Sequence, residues 1–193
     1  MSERNNTNSL ENHFLIAMPQ LDGSYFADTV TYLWKHNEDG AIGIVINKPL
    51  KLREADIFDK LEIDYGVEQQ QMAIQRQVVS GGPVERDKGF IIHNSSVEWE
   101  SSISVTPEIK ICTSKTILQD IARGKGPQNY LIALGCAGWE AGQLEQEIRE
   151  NSWLTVPADP ALIFSQNHSS KLTEAADILG VNIRQLPQEA GHS

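Results

Sequence analysis

Short apolar runs alternate with polar segments along the chain, and each run has the length of a single strand. Residues 13–18 (HFLIAM) stop at Pro19, and residues 41–46 are closed by an Asn-Lys-Pro turn. Such runs, bounded by Gly, Pro and Asn, predict strands of a sheet that is buried on both faces. Further runs of this kind lie at residues 78–79, 89–93, 103–105, 109–112 and 130–134.

Other segments carry the spacing of amphipathic helices. Phe26, Val30, Leu33 and Trp34 follow one another at i, i+4, i+7 and i+8, which predicts a helix that Ser24 can cap and residues 37–40 end. Asp159-Pro160 predicts another helix start, because proline costs nothing at the first helical position. Further helices are predicted at residues 53–61 and around Leu144 and Ala175. Another is predicted around Leu118, and Thr113 or Ser114 can cap it.

Together these elements predict a mixed α/β fold: a single compact domain with a mixed β-sheet flanked by helices. The chain shows no internal repeat and no interdomain linker. Its polar, Asn-rich beginning predicts a disordered tail over residues 1–11, followed by one domain over residues 12–186 and a C-terminal tail over residues 187–193.

Charge and composition narrow the class of partner. The 193 residues carry a formal net charge of −10, and no Lys/Arg cluster stands out. We therefore expect neither direct binding of nucleic acid nor attachment to an anionic membrane. No apolar run approaches a transmembrane length. The two cysteines, Cys112 and Cys136, are far apart and form no disulfide framework, so a reducing cytoplasm is the expected location.

Cys136 raises the question of catalysis. The predicted strand at residues 130–134 runs into Gly135-Cys136-Ala137-Gly138, and a helical pattern follows. Small residues around a nucleophile on a strand-to-helix turn are typical of a nucleophile elbow. A nucleophile also needs a base, and none of the five histidines lies in a recognisable partner motif. We favour a structural turn, and a thiol-dependent or hydrolytic enzyme that uses Cys136 is the alternative.

Two other motifs allow more than one interpretation. Ser80-Gly81-Gly82-Pro83 could present backbone N–H groups to an anion, but a sharp turn between two strands explains its glycines as well. His36, near the end of the predicted helix, is interpreted as a surface histidine that suits the helix dipole. No motif for a metal site is present, and no metal is expected.

Five blocks of the chain resemble successive blocks of the AlgH/YqgE family, in the family's order. They read FLIAMPQL, TVTYLWKHNEDGAIGIVINKP, SGGPVERDKGFIIH, ARGKGPQNYLIALGCAGWEAGQLEQEI and NSWLTVPADPALIF. The resemblance implies a bacterial, cytoplasmic, single-domain α/β protein of uncharacterised biochemical function, with no known cofactor. A role in transcriptional regulation has been inferred for the family from its link to alginate synthesis. The family usually has tyrosine at the position of Cys136, which argues against a shared thiol nucleophile.

The blocks share polar and small residues at the ends of predicted elements, where loops carry function. We hypothesise that these residues form one surface for a small-molecule ligand or a protein partner, and the alternative is that each caps its own turn. The residues are His36, Asn37, Asn47, Lys48, Gly81, Gly82, Pro83, Gly138, Trp139 and Gln143. No catalytic residue is assigned, so the sequence predicts a non-catalytic binding or regulatory protein.

Overall fold

The computed structural model describes residues 9–186. In this range ten strands form one sheet. The strands are β1 (His13–Ala17), β2 (Val30–Asn37), β3 (Gly40–Val45), β4 (Pro49–Arg53), β5 (Gln77–Ser80), β6 (Val84–His93), β7 (Ser102–Ser104), β8 (Lys110–Cys112), β9 (Tyr130–Glu140) and β10 (Trp153–Pro157).

Six α-helices complete the described part of the chain. They are α1 (Glu54–Lys60), α2 (Val67–Gln75), α3 (Lys115–Ala122), α4 (Gln143–Arg149), α5 (Pro160–Phe164) and α6 (Lys171–Ile178). Ser114 caps α3 and Asp159 caps α5 through side-chain hydrogen bonds, as the sequence predicts. None of the helices in residues 9–186 is long and apolar enough to cross a membrane.

The sheet is mixed, and its strand order is β10-β1-β2-β3-β9-β6-β8-β7, with β4 and β5 on a branch. Almost all neighbours are antiparallel, but β5 pairs with β9 in parallel. The strand β9 is central, since its first half pairs with β5 and β6 and its second half pairs with β3. The mixed α/β fold is therefore confirmed.

Gly135 allows β9 to change partners at its midpoint. It has a φ of +80°, and a Cβ at this position would lie 2.6 Å from the backbone oxygen of Gly82. Only glycine combines this conformation with so close a backbone approach. The beginning of β9, at Tyr130, and its end, at Trp139, lie in two different hydrophobic clusters of the core.

The predicted helix over residues 24–36 is wrong, because the structure has the strand β2 there. Residues 30–33 are buried at every position, and they pair with β1 on one side and β3 on the other. A run that is buried on both faces carries no two-residue period, so the chance helical spacing of Phe26, Val30 and Leu33 dominated the pattern. His36 consequently lies in a strand and is only 6% exposed, which also corrects its assignment as a surface residue near a helix end.

The predicted strand-to-helix turn at residues 135–138 is also wrong. The strand β9 continues through these residues to Glu140, and α4 begins only at Gln143. Val84 pairs with Cys136, and residues 40–43 of β3 pair with residues 137–140. Partner strands that extend past Gly135 therefore keep the chain extended, and the register irregularity opposite this glycine lies in β6, between Val84 and Gly89.

The predicted tails fall mostly outside the described residues. Residues 1–8 and 187–193 are not described. Within the described part, Ser9 and Leu10 are half-buried, and both form a hydrogen bond with His36. The Ser9 hydroxyl donates to the backbone oxygen of His36 at 3.0 Å, and the Leu10 N–H donates to Nδ1 of His36 at 2.9 Å.

Candidate functional site

A cavity of about 300 Å³ lies where α1, α2 and the loop after α3 meet the beginning of β9. Its volume is at the lower end of the range for small-molecule sites. The residues that line it are Glu54, Phe58, Gln69, Met72, Arg76, Ile121, Gly124, Gly126, Pro127, Gln128 and Tyr130.

Three polar side chains meet at this cavity. Glu54 is the first residue of α1 and lies on the helix face that also buries Ala55 and Phe58. The hydroxyl of Tyr130 donates a hydrogen bond of 2.5 Å to Oε1 of Glu54. The guanidinium carbon of Arg76 lies 4.5 Å from the centre of the Tyr130 ring. Glu54 and Tyr130 are 4% and 8% exposed, so the contact between them is shielded from bulk water.

Burial controls the protonation of this cluster. It raises the pKa of Glu54, while the hydrogen bond from Tyr130 and the charge of Arg76 lower it to a smaller extent. Burial, followed by the charge of Glu54, raises the pKa of Tyr130, so its hydroxyl keeps the proton that it donates. A titratable group whose pKa is shifted by burial beside a cavity is typical of functional sites.

The cluster offers several hydrogen-bonding groups to a ligand. Glu54 can accept from a ligand, Arg76 can donate, and the amides of Gln69 and Gln128 can do both. Apart from the Tyr130 hydroxyl, no hydroxyl, thiol or imidazole lies among the described residues that line the cavity. Within residues 9–186 no group of three or more His, Cys, Asp or Glu is arranged to hold a metal ion.

The ten residues predicted from the sequence do not line this cavity, and they fall into two groups. His36, Asn37, Gly138, Trp139 and Gln143 form the first group, where β2, β3, β9 and α4 meet. Trp139 donates to Glu147 at 2.9 Å, and Gln143 accepts from the Glu140 backbone at 3.0 Å. Asn37 bonds within the β2–β3 turn at 2.9 Å, and the exposed Gly138 has open space where a Cβ would stand.

His36 is held from both sides of its ring. Its Nδ1 accepts from the Leu10 backbone, so the ring proton is on Nε2, which donates to Oε1 of Glu145 at 2.7 Å. Both ring nitrogens therefore have protein partners. Glu145 on α4 provides this contact although its side chain is 41% exposed.

Asn47, Lys48, Gly81, Gly82 and Pro83 form the second group, at the other end of β3. Asn47 accepts from the Val30 N–H at 2.8 Å and donates to the Asp28 oxygen at 2.9 Å. Lys48 donates to the backbone oxygen of Tyr25 at 2.7 Å, and its ammonium lies 3.6 Å from the centre of the Tyr25 ring.

The glycines of the second group serve the backbone. The Gly81 N–H donates to Leu134 at 2.8 Å, so it is not directed at an anion. A Cβ on Gly82 would lie 2.0 Å from the carbonyl carbon of Cys136. Pro83 is exposed.

Gly82 lies against the backbone of Cys136 and Ala137, beside Gly138 of the first group, so the two groups meet there. Asn37 and Asn47 lie beyond opposite ends of β3, a span of roughly 20 Å.

Cys136 lies in β9 and is 5% exposed. Burial raises the pKa of its thiol, and the charge of Glu85 raises it further. The hydrogen-bond partner of its sulfur is Oε2 of Glu85 at 3.9 Å, not an imidazole.

Sequence reasoning missed the Glu54 cavity, although one signal was readable. Glu54, Ala55, Ile57 and Phe58 share the spacing of a buried helix face, so a carboxylate stands among apolar positions. Tyr130 and the Gly-Pro loop before it belong to one of the family-like blocks, but no local pattern shows that they face Glu54.

Comparison with known proteins identifies the family. The family model DUF179, described as AlgH-like, matches residues 14–184. A UPF0301 protein of Pseudoalteromonas translucida is 45% identical over 185 residues, which cover 96% of this chain and 99% of that protein. A UPF0301 protein of Idiomarina loihiensis is 45% identical over 186 residues, covering 96% of this chain and all of the relative.

Solved structures agree with these matches. The solution structure of the AlgH protein from Pseudomonas aeruginosa has a TM-score of 0.78 and 43% identity, and the match covers 100% of both chains. A protein from Corynebacterium diphtheriae shares the fold at a TM-score of 0.60 and 18% identity, over 79% of this chain and 78% of its own. The resemblance noted in the sequence is confirmed, and the chain belongs to the AlgH-like family.

Proposed function

We propose that this chain is a non-catalytic binding protein that holds a small polar ligand in the Glu54 cavity and acts in regulation through that ligand. The observation that carries the proposal is a buried carboxylate, Glu54, on the wall of a cavity of ligand size, with only one of its two oxygens engaged by Tyr130. The ligand suited to this lining is compact and carries both a donor for Glu54 and an acceptor for Arg76.

The energetic cost of Glu54 supports a role in binding. Removing a carboxylate from water is costly, and apolar residues of similar size are often equally or more stabilising at such a position. An aliphatic residue beside Phe58 would satisfy the packing of α1. A carboxylate that is retained there, next to an open volume, is better explained by what it binds than by stability.

The environment of Cys136 supports a binding protein over the thiol-dependent alternative. A thiol nucleophile requires a lowered pKa and a base that can take its proton. Here burial and Glu85 raise the pKa, and the neighbouring group is a carboxylate. We assign no step of a reaction to this residue.

The regulatory part of the proposal rests on the family and on charge. With a net charge of −10, the chain lacks the excess of basic residues that direct binding to duplex DNA requires. We propose that it acts through a ligand or a protein partner rather than by direct contact with DNA. Two free, buried cysteines suit the reducing cytoplasm that we propose as its location.

A pair of variants on α2 tests the cavity. Met72 lines it and is 52% exposed, whereas Ile74 is 53% exposed on the same helix and does not line it. Met72→Trp should fill the cavity without disturbing the core, and Ile74→Trp is the matched control. The purified proteins are incubated with the small-molecule fraction of a bacterial extract, separated by gel filtration and analysed by mass spectrometry for retained compounds.

We expect the parent protein and Ile74→Trp to retain the same compound in about equal molar amount, and Met72→Trp to lose it. Glu54→Gln should weaken retention by about tenfold, as expected for one charged hydrogen bond. Equal retention by both tryptophan variants, or no retained compound at all, contradicts the proposal. Recovery of a chemically altered compound would favour an enzyme instead.

A further inference from the structure

A second cavity, of about 310 Å³, lies between the β6–β9 pair, α1 and the start of α3, and it shares no lining residue with the Glu54 cavity. Its floor is one face of two paired strands, where Gly89 lies opposite Leu134 and Ile91 lies opposite Ile132. We call it the Gly89 cavity. Its apolar walls are formed by Leu52, Ile57, Leu61 and Leu118.

The floor of the cavity lacks a side chain at Gly89. No atom lies within 4 Å of the place that a Cβ on this residue would take, and its φ is not positive. The register irregularity of β6 ends at Gly89, but a bulge favours glycine where φ is positive. Neither the backbone conformation nor a close approach therefore requires glycine here. A glycine within a strand is otherwise typical of a place that a ligand approaches closely.

The walls of the Gly89 cavity leave apolar surface in contact with water. Leu52, Leu61 and Leu134 are only partly buried, although they pack against the hydrophobic cluster that contains Ile91 and Ile132. Water molecules beside leucine and isoleucine side chains find few polar partners, and their displacement by an apolar group gains affinity. The larger part of a suitable occupant is therefore apolar.

The edge of the cavity carries a net positive charge. Lys60 is the last residue of α1 and Lys115 is the first residue of α3, and both are exposed. Nζ of Lys115 donates to the backbone oxygen of Leu61 at 2.8 Å, which holds this ammonium group beside the cavity. Among residues 9–186, no carboxylate lies within 4 Å of either ammonium. Asp87 is the one acidic residue of the lining, so a single negative charge on the occupant balances the two lysines.

We propose that the Gly89 cavity binds an aliphatic monocarboxylate. The chain lies over Gly89 between Leu61 and Leu134, and the carboxylate lies at the ammonium groups of Lys60 and Lys115. Because both lysines are exposed, solvent screens their charges, and the chain contributes more to affinity than the carboxylate does. This site is separate from the Glu54 cavity, and neither proposal depends on the other.

Isothermal titration of the full chain with sodium octanoate at pH 7 tests the proposal. We expect one saturable site. Hexanoate should bind about 15-fold more weakly, since each buried methylene group contributes about fourfold in affinity. Octanamide has the same chain without the charge and should bind severalfold more weakly than octanoate. In the double variant Lys60→Gln with Lys115→Gln, octanoate should bind no more tightly than octanamide.

Two glycine variants provide the control for location. Gly89→Leu should fill the cavity and abolish octanoate binding. Gly138→Leu is the matched control, because Gly138 is an exposed glycine of β9 that also has open space at its Cβ position and does not line the cavity. Its affinity for octanoate should equal that of the parent protein, and Met72→Trp, which changes only the Glu54 cavity, should bind octanoate equally well.

Circular dichroism checks that each variant is folded, and Gly89→Ala, a smaller change, should weaken binding severalfold without abolishing it. The absence of saturable binding, or equal affinities for hexanoate and octanoate, would overturn the proposal. So would octanamide that binds as tightly as octanoate in the parent protein, or full affinity for octanoate in Gly89→Leu.

Discussion

Two regions of this protein use the same chemistry, a helix carboxylate bonded to an aromatic donor from β9, with different outcomes. At the beginning of β9, Tyr130 donates to Glu54, and a cavity lies beside the pair. Near its end, Trp139 donates to Glu147 on α4 at 2.9 Å. We call the Glu54–Tyr130 pair with its cavity the open region, and the Trp139–Glu147 pair with the side chains around it on β9 and α4 the closed region.

In the closed region both carboxylate oxygens of Glu147 are engaged by neighbouring side chains. Oε2 of Glu147 accepts from the indoles of Trp139 and Trp153 at 2.9 and 2.8 Å, and Oε1 accepts from Gln143 at 3.0 Å. The ring of Phe26 packs against both indoles. In the open region one hydrogen bond holds Glu54, and the pKa of this carboxyl is raised by burial. A buried carboxylate thus indicates a ligand site only where its neighbours leave a volume beside it.

The largest effect should follow from a change that disturbs both regions at once. Gly135 lies between them on β9 with a positive φ, and a Cβ would meet the backbone oxygens of Gly82 and Val84 at 2.6 and 2.9 Å. We expect Gly135→Ala to lower the free energy of unfolding by about 3 kcal/mol or more. Denaturant unfolding measures this loss.

Gly138→Ala is the matched control for Gly135→Ala. Gly138 is on the same strand and is exposed, and no atom lies within 4 Å of the place that an alanine methyl group would take. Its substitution should change the free energy of unfolding by less than about 0.5 kcal/mol. Similar losses in the two variants would show that the positive φ and the close backbone approach do not make Gly135 a special position of β9.

The next effect should be confined to the closed region. Glu147→Ala leaves two shielded indole donors, on Trp139 and Trp153, without an acceptor, and we expect a loss of about 3 kcal/mol in urea unfolding. Ligand retention by the open region should not change. Glu150→Ala, an exposed position just after α4, is the control and should cost less than about 1 kcal/mol. A loss of that small size for Glu147→Ala would contradict the distinction between the regions.

In the open region, replacement of the carboxylate Glu54 should not destabilise the folded protein. Because the folded-state pKa of Glu54 is raised above its ordinary value of 4.5, its contribution to stability is present below that value and is lost as pH rises through the folded pKa. Glu54→Gln keeps an acceptor for Tyr130 and removes this loss. We expect the variant to equal or exceed the parent at pH 7 by about 1 kcal/mol, with the difference vanishing at low pH.

Urea unfolding at a series of pH values checks this expectation, and ligand retention should fall in the same variant. A protein that becomes less stable at pH 7 with Glu54→Gln would show that the carboxylate is structural, as Glu147 is. The two substitutions therefore test the same distinction from opposite sides.

Most secondary-structure elements could be predicted from the sequence, but the features that depend on pairing with other strands could not. The strands β1 and β3 and the helices after Ser114 and Asp159 follow from local patterns and caps, and the structure confirms them. The strand β2 was mistaken for a helix because burial on both faces removes the alternation that marks a strand. The glycines around Cys136 predict a turn because a positive φ is typical of turns, yet Gly135 adopts a positive φ within a continuous strand.

The functional residues show the same limit. Polar residues at element ends were predictable from sequence, and in the structure their hydrogen bonds are largely internal, as for Asn47 and Gln143. The Glu54 cavity arises where α1, α2 and the loop after α3 fail to fill the space beside Tyr130. Such a gap is a property of tertiary packing, and no single segment encodes it.

The smallest effect concerns the other carboxylate of the closed region, Glu145, which is 41% exposed and accepts from Nε2 of His36 at 2.7 Å. A hydrogen bond with its own backbone, and then the bond from His36, lower the pKa of Glu145. A lowered folded-state pKa contributes stability above the ordinary value of 4.5 that is lost as pH falls through the folded pKa, opposite in sign to Glu54. Glu145→Gln preserves an acceptor for His36, and solvent screens the charge, so we expect a loss of only about 0.5 kcal/mol at pH 7. That loss should fade as the pH falls below the ordinary value, and a loss of equal size at both ends of the pH series would show that shape rather than charge holds His36 in place.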